Sequence, residues 1–120
     1  CPVKSARDLG ARTVVKTVLA RDGGALYFSR LPIPCRRDGE ADLTSGLYLR
    51  HLGIYAYRGS FLKRLVNEPP CLLEQTECLE QLRALYIGGR IAVIQTESQG
   101  VGVDTPEDVA AVEAVLRGRQ

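Results

Sequence analysis

Two apolar, β-branched runs joined by Asp22-Gly23-Gly24 constrain this chain more than any other feature. TVVKTVLA at 13–20 and ALYFS at 25–29 flank the turn, and its glycines supply the positive φ angles of a tight reversal, so the pair reads as a β-hairpin. Any sheet containing it is at least partly antiparallel. Leu31-Pro32-Ile33-Pro34 follows, and its prolines lack the N–H donors of a central strand, which favours an extended segment. The polar stretch from Cys35 to Gly46 reads as a loop.

Beyond the loop, LYLRHLGIYAYR at 47–58 alternates with period two, so that Leu49, His51, Gly53, Tyr55 and Tyr57 share one face of a strand. Ser60 is placed to cap a short helix running to about Asn67, and Pro69-Pro70 stops it. From Leu72 to Tyr86, Leu72, Thr76, Leu79, Leu82 (or Arg83) and Tyr86 fall near one stripe with Gly88-Gly89 just past the end, the pattern of a single helix. RIAVIQT at 90–96 has the composition of a buried strand. Thr105-Pro106-Glu107-Asp108 is a helix start, with a capping Thr, Pro at the first position and acids in the first turn, and that helix runs to about Arg117. Strands alternating with helices predict an α/β or α+β sheet with helices packed on it.

With 120 residues, the chain has the length of one domain and enough surface to bury a core. It begins with Cys1 and shows no charged segment leading into an apolar one, which suggests a fragment rather than a secreted precursor. No apolar run approaches the roughly 18 residues of a membrane span. The net charge of +2 is far from the basic stripe that nucleic-acid binding requires. Thirteen of the sixteen basic residues are Arg, the better fork for carboxylate and phosphate, although coding bias explains that equally well. Cys1, Cys35, Cys71 and Cys78 form no CxxC pair and have no neighbouring His, so they read as reduced thiols of a cytosolic protein.

Four groups of residues carry candidate chemistry. Asp104 precedes the Thr105 cap in a strand, glycine loop and helix-start passage of the kind that lines clefts, where a carboxylate either reaches a divalent cation or makes a local Asx hydrogen bond. His51 and Tyr55 lie two pleats apart on one strand face, as pocket residues or as a hydrogen-bonded core histidine beside aromatics. Glu80, Gln81 and Arg83 occur among Glu74 and Glu77 on what reads as a solvated helix face. Arg30, Arg36 and Arg37 flank the proline segment, whose stiffness can hold an Arg fork against a carboxylate. No GxGxxG, no GxxxxGK[ST] and no Ser/His/Asp ordering is present, so any chemistry is shared with residues outside this span.

Taken together, ALYFSRLPIP at 25–34, LRHLGIYAYRGSFLKR at 49–64, LEQTECLEQLRAL at 73–85 and GVGVDTPEDV at 100–109 resemble, in order and spacing, the C-terminal half of the 3-deoxy-manno-octulosonate (Kdo) cytidylyltransferases. The first dozen residues, CPVKSARDLGAR, match none of these motifs. The resemblance implies an α/β fold, a three-layer nucleotidyltransferase-like architecture with a mixed sheet flanked by helices. Residues 1–120 would be its C-terminal half, a single partial domain with a hairpin and dimerisation region, inactive without the CTP-binding half. It implies a cytoplasmic homodimer with CTP and Kdo as substrates, Mg²⁺ as cofactor and neither nucleic acid nor membrane as partner. Its product would be CMP-Kdo for lipopolysaccharide assembly. Carried over by motif, Asp104 is implied as a catalytic, metal-ligating Asp, and His51, Tyr55, Glu80, Gln81, Arg30 and Arg37 as sugar-pocket residues. Cys35 stands where family members often have an aromatic residue, and the 36–46 loop is short. A dimerising remnant without turnover, or an enzyme for another acid sugar such as sialic acid, are the alternatives.

Overall fold

The computed structural model describes residues 1–97 and 106–117. Helix α1 (Ala6–Gly10) leads into β1 (Lys16–Leu19), β2 (Ala25–Ser29) and the short β3 (Leu49–Arg50), and helices α2 (Gly59–Asn67), α3 (Leu72–Glu77), α4 (Gln81–Tyr86) and α5 (Pro106–Arg117) complete the order. The sheet runs β2-β1-β3, and both pairings are antiparallel. The α/β class holds, with a small antiparallel sheet among the described residues.

The hairpin forms as expected. Lys16 pairs with Ser29 and Thr17 with Phe28, a bulge falls between Val18 and Leu19, and Gly23 takes φ +79 in the turn. On the other edge of β1, Lys16 pairs with Arg50 and Thr17 with Leu49. One apolar cluster grips this sheet and a second lies beside it. Phe28, Leu79 and Leu82 pack with Val15, Ala25, Tyr27, Leu85 and Ile91, fastening α4 to β2. Val3, Leu9 and Tyr48 pack with Ala41 and Leu43, so the 35–46 loop folds back on α1. The carboxylate of Asp42 stiffens that loop by accepting from Thr44 N–H at 3.0 Å and Thr44 Oγ1 at 2.6 Å, opening a single 3₁₀ turn.

Several expected elements change. The strand expected over 47–58 pairs only at Leu49–Arg50, because one more bond, His51 N–H to Val15 O at 2.9 Å, takes it to the start of β1. Gly53 then turns the chain at φ +72. The helix expected over 72–86 is two helices, broken where Cys78 adopts φ 52, ψ 53 and its N–H closes on Glu74 O. Ser60 does not cap α2; Arg58 occupies that position without a side-chain bond, while Pro69-Pro70 ends the helix as expected. Residues 90–96 are not a buried strand. Ile91 O accepts from Ala25 N–H and Val93 N–H donates to Gly23 O, so the segment meets the hairpin turn without forming a strand and leaves Ile94 92% exposed. The acids near α3 and α4 are only partly a solvated face, since Glu80 is exposed but Glu74 is not. Glu74 is buried and pairs with Arg83 Nε at 3.0 Å, while Arg83 also donates to Glu68 O at 2.9 Å, linking α2, α3 and α4. Thr105, expected to cap α5, lies outside the described residues.

Two glycines separate backbone freedom from packing. A Cβ on Gly89 would stand 2.4 Å from Phe61 Cζ and 2.6 Å from Ala84 O, whereas one on Gly10 meets nothing within 4 Å. Gly89→Ala is therefore expected to destabilise the fold by about 2 kcal/mol, because a backbone oxygen must move. Gly10→Ala, inside α1, is expected to stabilise it by about 0.5 kcal/mol. Thermal melts of the two variants check both signs, and an unchanged melting temperature for Gly89→Ala would contradict this packing.

Candidate functional site

Beyond β3 the chain leaves the sheet, yet period-two spacing still brings its rings together. His51 sits edge-on to Phe28 with centroids 5.1 Å apart and 5.2 Å from Tyr55, and Tyr55 stacks on Tyr57 at 5.9 Å. Phe28 is buried on β2 beneath Leu79 and Leu82. The ring row is thus anchored in the same core that seats α4.

His51 Nε2 accepts the Gly53 N–H at 3.2 Å. That bond requires an unprotonated Nε2, so the neutral ring carries its proton on Nδ1. Burial holds the imidazole's pKa below its ordinary value. Tyr55 is shifted in the opposite sense. Burial, with smaller contributions from Tyr57 and the Glu80 carboxylate, pushes its phenol far above the ordinary value of 10.0, so it remains a neutral O–H. Its hydroxyl is buried and finds no protein hydrogen-bond partner among the described residues.

Glu80 and Gln81 follow the left-handed residue at Cys78, which ends α3 before a new helix starts at Gln81. Glu80 is exposed, and its charge acts on Tyr55. Gln81 is buried, and its Nε2 has no protein partner among the described residues. Buried donors without partners are rare in folded proteins. Tyr55 and Gln81 each present one.

The remaining candidates are dispersed. Arg30 donates from Nε to Glu77 O at 2.7 Å, from NH1 to Arg12 O at 3.0 Å and from NH2 to Cys78 O at 3.2 Å. Arg37 stands almost wholly in solvent, 3.9 Å from Asp38. Beside it, Pro34, Cys35, Arg36, Asp42, Ser45, Leu47 and Tyr48 line an open hollow of about 390 Å³ that none of the carried-over residues enters. Asp104 lies outside the described residues. Among those residues no group of three His, Cys, Asp or Glu side chains is placed to hold a metal ion, and no helix is long and apolar enough to cross a membrane.

Sequence reasoning missed the polar joint behind the ring row. The ammonium of Lys16, fully buried, donates to Ala11 O at 3.0 Å, Val14 O at 2.7 Å and Arg30 O. Glu77 accepts from Ser29 Oγ at 2.7 Å and from Arg30 N–H at 3.0 Å. One signal was visible: a lysine in the middle of the otherwise apolar run TVVKTVLA.

A family model for cytidylyltransferases matches residues 2–92. The chain belongs to the cytidylyltransferase family. The match also takes in most of the first dozen residues, which carry none of the motifs recognised above. Among curated relatives, 3-deoxy-manno-octulosonate cytidylyltransferase of Polynucleobacter necessarius is 50% identical over 116 residues, covering 96% of this chain and 45% of its own length. The protein of the same name from Bdellovibrio bacteriovorus is 48% identical over 114 residues, covering 93% of this chain and 46% of its own. A solved CMP:2-keto-3-deoxy-manno-octonic acid synthetase complexed with CTP superimposes with a TM-score of 0.86 at 38% identity, over 98% of this cytidylyltransferase chain and 47% of the solved one. The chain spans a little under half the length of these relatives.

The histidine supplies a pH test. Its folded-state pKa lies below the ordinary 6.5, so the unfolded chain takes up the proton first as pH falls. Stability that depends on neutral His51 is therefore complete above 6.5 and lost as pH drops through the lower, folded-state value. NMR titration of the chain's single imidazole is expected to give a midpoint below 6.5, with stability falling over the same interval. A midpoint at or above 6.5 would contradict the buried, Gly53-bonded ring.

Proposed function

We propose that this chain forms the sugar-binding portion of an enzyme that transfers the cytidylyl group of CTP to Kdo, yielding CMP-Kdo and pyrophosphate for lipopolysaccharide assembly. The observation that carries the reading is the pair of buried, unpartnered donors, Tyr55 O–H and Gln81 Nε2, on the segments that flank His51 and Glu80. A polyhydroxylated acid sugar brings the acceptor oxygens such donors lack. Identity near 50% to relatives named 3-deoxy-manno-octulosonate cytidylyltransferase supports the same substrate.

In this reading the sugar hydroxyl attacks the α-phosphate of CTP, giving up its proton to solvent, and pyrophosphate leaves with the bonding electron pair. The chain's own residues bind and orient the nucleophile. Neutral His51 offers Nδ1–H, because Nε2 is engaged by Gly53; Tyr55 and Gln81 add two further donors, and Glu80 accepts from sugar hydroxyls. Holding the sugar in one orientation turns an encounter into a positioned reaction. Asp104, on the strength of its GVDTPED motif, would hold a divalent cation, Mg²⁺, together with groups outside this span. When bound, that ion neutralises the phosphates and lowers the charge barrier to attack. Arg37, exposed in its loop, is assigned no contact. The protein acts as a cytoplasmic homodimer.

Pyrophosphate release by the full-length protein containing residues 1–120, supplied with CTP, Kdo and Mg²⁺, tests the reading. Turnover that needs both sugar and metal is expected, and a folded protein that turns over only N-acetylneuraminate, or neither sugar, would overturn it. Within the active enzyme, His51→Ala is expected to raise the KM for Kdo by about tenfold, the loss of one good hydrogen bond. Asp104→Asn is expected to lower kcat by at least about a hundredfold with the melting temperature unchanged. An unaltered KM in the first variant, or an unaltered kcat in the second, would remove that residue from its role.

A further inference from the structure

We propose that Glu77 is a positioning residue for the sugar wall, acting through Arg30 on the turn that carries Glu80 and Gln81; the inference rests on the functional reading above. Glu77 is the last residue of α3. Its two carboxylate oxygens accept from Ser29 Oγ and from the Arg30 N–H, at 2.7 and 3.0 Å. Arg30 returns the contact by donating from Nε to Glu77 O and from NH2 to Cys78 O. Each residue therefore grips the other's backbone with its side chain.

The grip sits at the one non-glycine residue with positive φ among those described, Cys78. Its left-handed conformation sends the chain out of α3 and back so that Leu79 and Leu82 enter the core and Gln81 is buried at the start of α4. The other end of the clamp is equally fixed, because Arg30 O accepts from the buried Lys16 ammonium and Ser29 Oγ accepts the Leu31 N–H at 3.0 Å. With the hairpin held, the length of the Glu77 arm decides where the 78–81 turn stands against His51 and Tyr55. In this arrangement Arg30 places the wall rather than meeting the sugar with the three nitrogens it gives to carbonyls.

Arm length can be varied without removing charge. In the full-length protein, Glu77→Asp keeps the carboxylate but shortens it by one methylene, and the KM for Kdo is expected to rise by about tenfold while the KM for CTP stays within about twofold. Glu77→Gln keeps the length and is expected to hold the Kdo KM within about threefold of wild type, its amide oxygen facing Arg30 N–H and its NH₂ facing Ser29 Oγ. Should Glu77→Asp fail to fold, Ser29→Ala removes one bond from the same carboxylate and is read in the same way. A lower melting temperature with the Kdo KM unchanged, or equal rises in both KM values, would reduce Glu77 to packing and overturn the proposal. Absence of Kdo turnover in the wild-type protein would overturn the functional reading and this proposal with it, whereas wild-type turnover with an unaltered Glu77→Asp enzyme removes this proposal alone.

Discussion

Lys16, the first residue of the central strand, buries its ammonium at that end of the sheet, where an uncompensated charge would be strongly unfavourable. Its three N–H bonds all end on backbone carbonyls, those of Ala11, Val14 and Arg30. Desolvation lowers its pKa, and the Glu77 carboxylate offsets part of that, although no bond joins the two side chains directly. From this joint, β1 holds β2 through Ser29 and β3 through Arg50, the helix pair is fastened by Glu77, and the strap 31–34 leaves in one direction. An apolar residue at position 16 would take this donor away from all three carbonyls, of which Ala11 O would keep the Val14 N–H at 3.2 Å. The joint is a charged anchor beside the two apolar clusters.

How far this fold was legible in the sequence follows from whether local or distant forces decide each element. The hairpin was readable because Asp22-Gly23-Gly24 and the flanking β-branched runs settle it within a dozen residues. The break in the helix expected over 72–86 was not. Its apolar stripe suits one continuous helix, and the bonds that favour a left-handed Cys78 come from Arg30, nearly fifty positions away. The strand expected over 47–58 ended early for a similar reason, since alternation tells which residues share a face but not how much partner strand lies opposite. β1 begins at Lys16, so only Leu49 and Arg50 pair.

The candidate site divides along the same line. His51 and Tyr55 were placed on one side by period-two spacing, and their rings do meet although the segment is no longer a strand. The burial of Gln81 and the engagement of Arg30 by carbonyls were not legible from spacing, because a surface-like run of Glu, Gln and Arg has the same composition whether it faces water or a clamp. Glu77 had no motif of its own. It is recognisable only through its two partners on β2, which no one-dimensional pattern connects.

The donors that the proposed sugar wall offers beside the Glu80 carboxylate are uncharged. His51 is neutral with Nε2 occupied, Tyr55 is locked as a phenol and Gln81 cannot ionise. Such a surface gains little from long-range attraction and much from each oxygen it meets. A ligand lacking one of those oxygens leaves a buried donor unpaired, a penalty that discriminates more sharply than an apolar contact. Selectivity among acid sugars would then depend on the exact spacing between the ring row and Gln81. That spacing is what the carboxylate of Glu77, standing between hairpin and turn, is in a position to set.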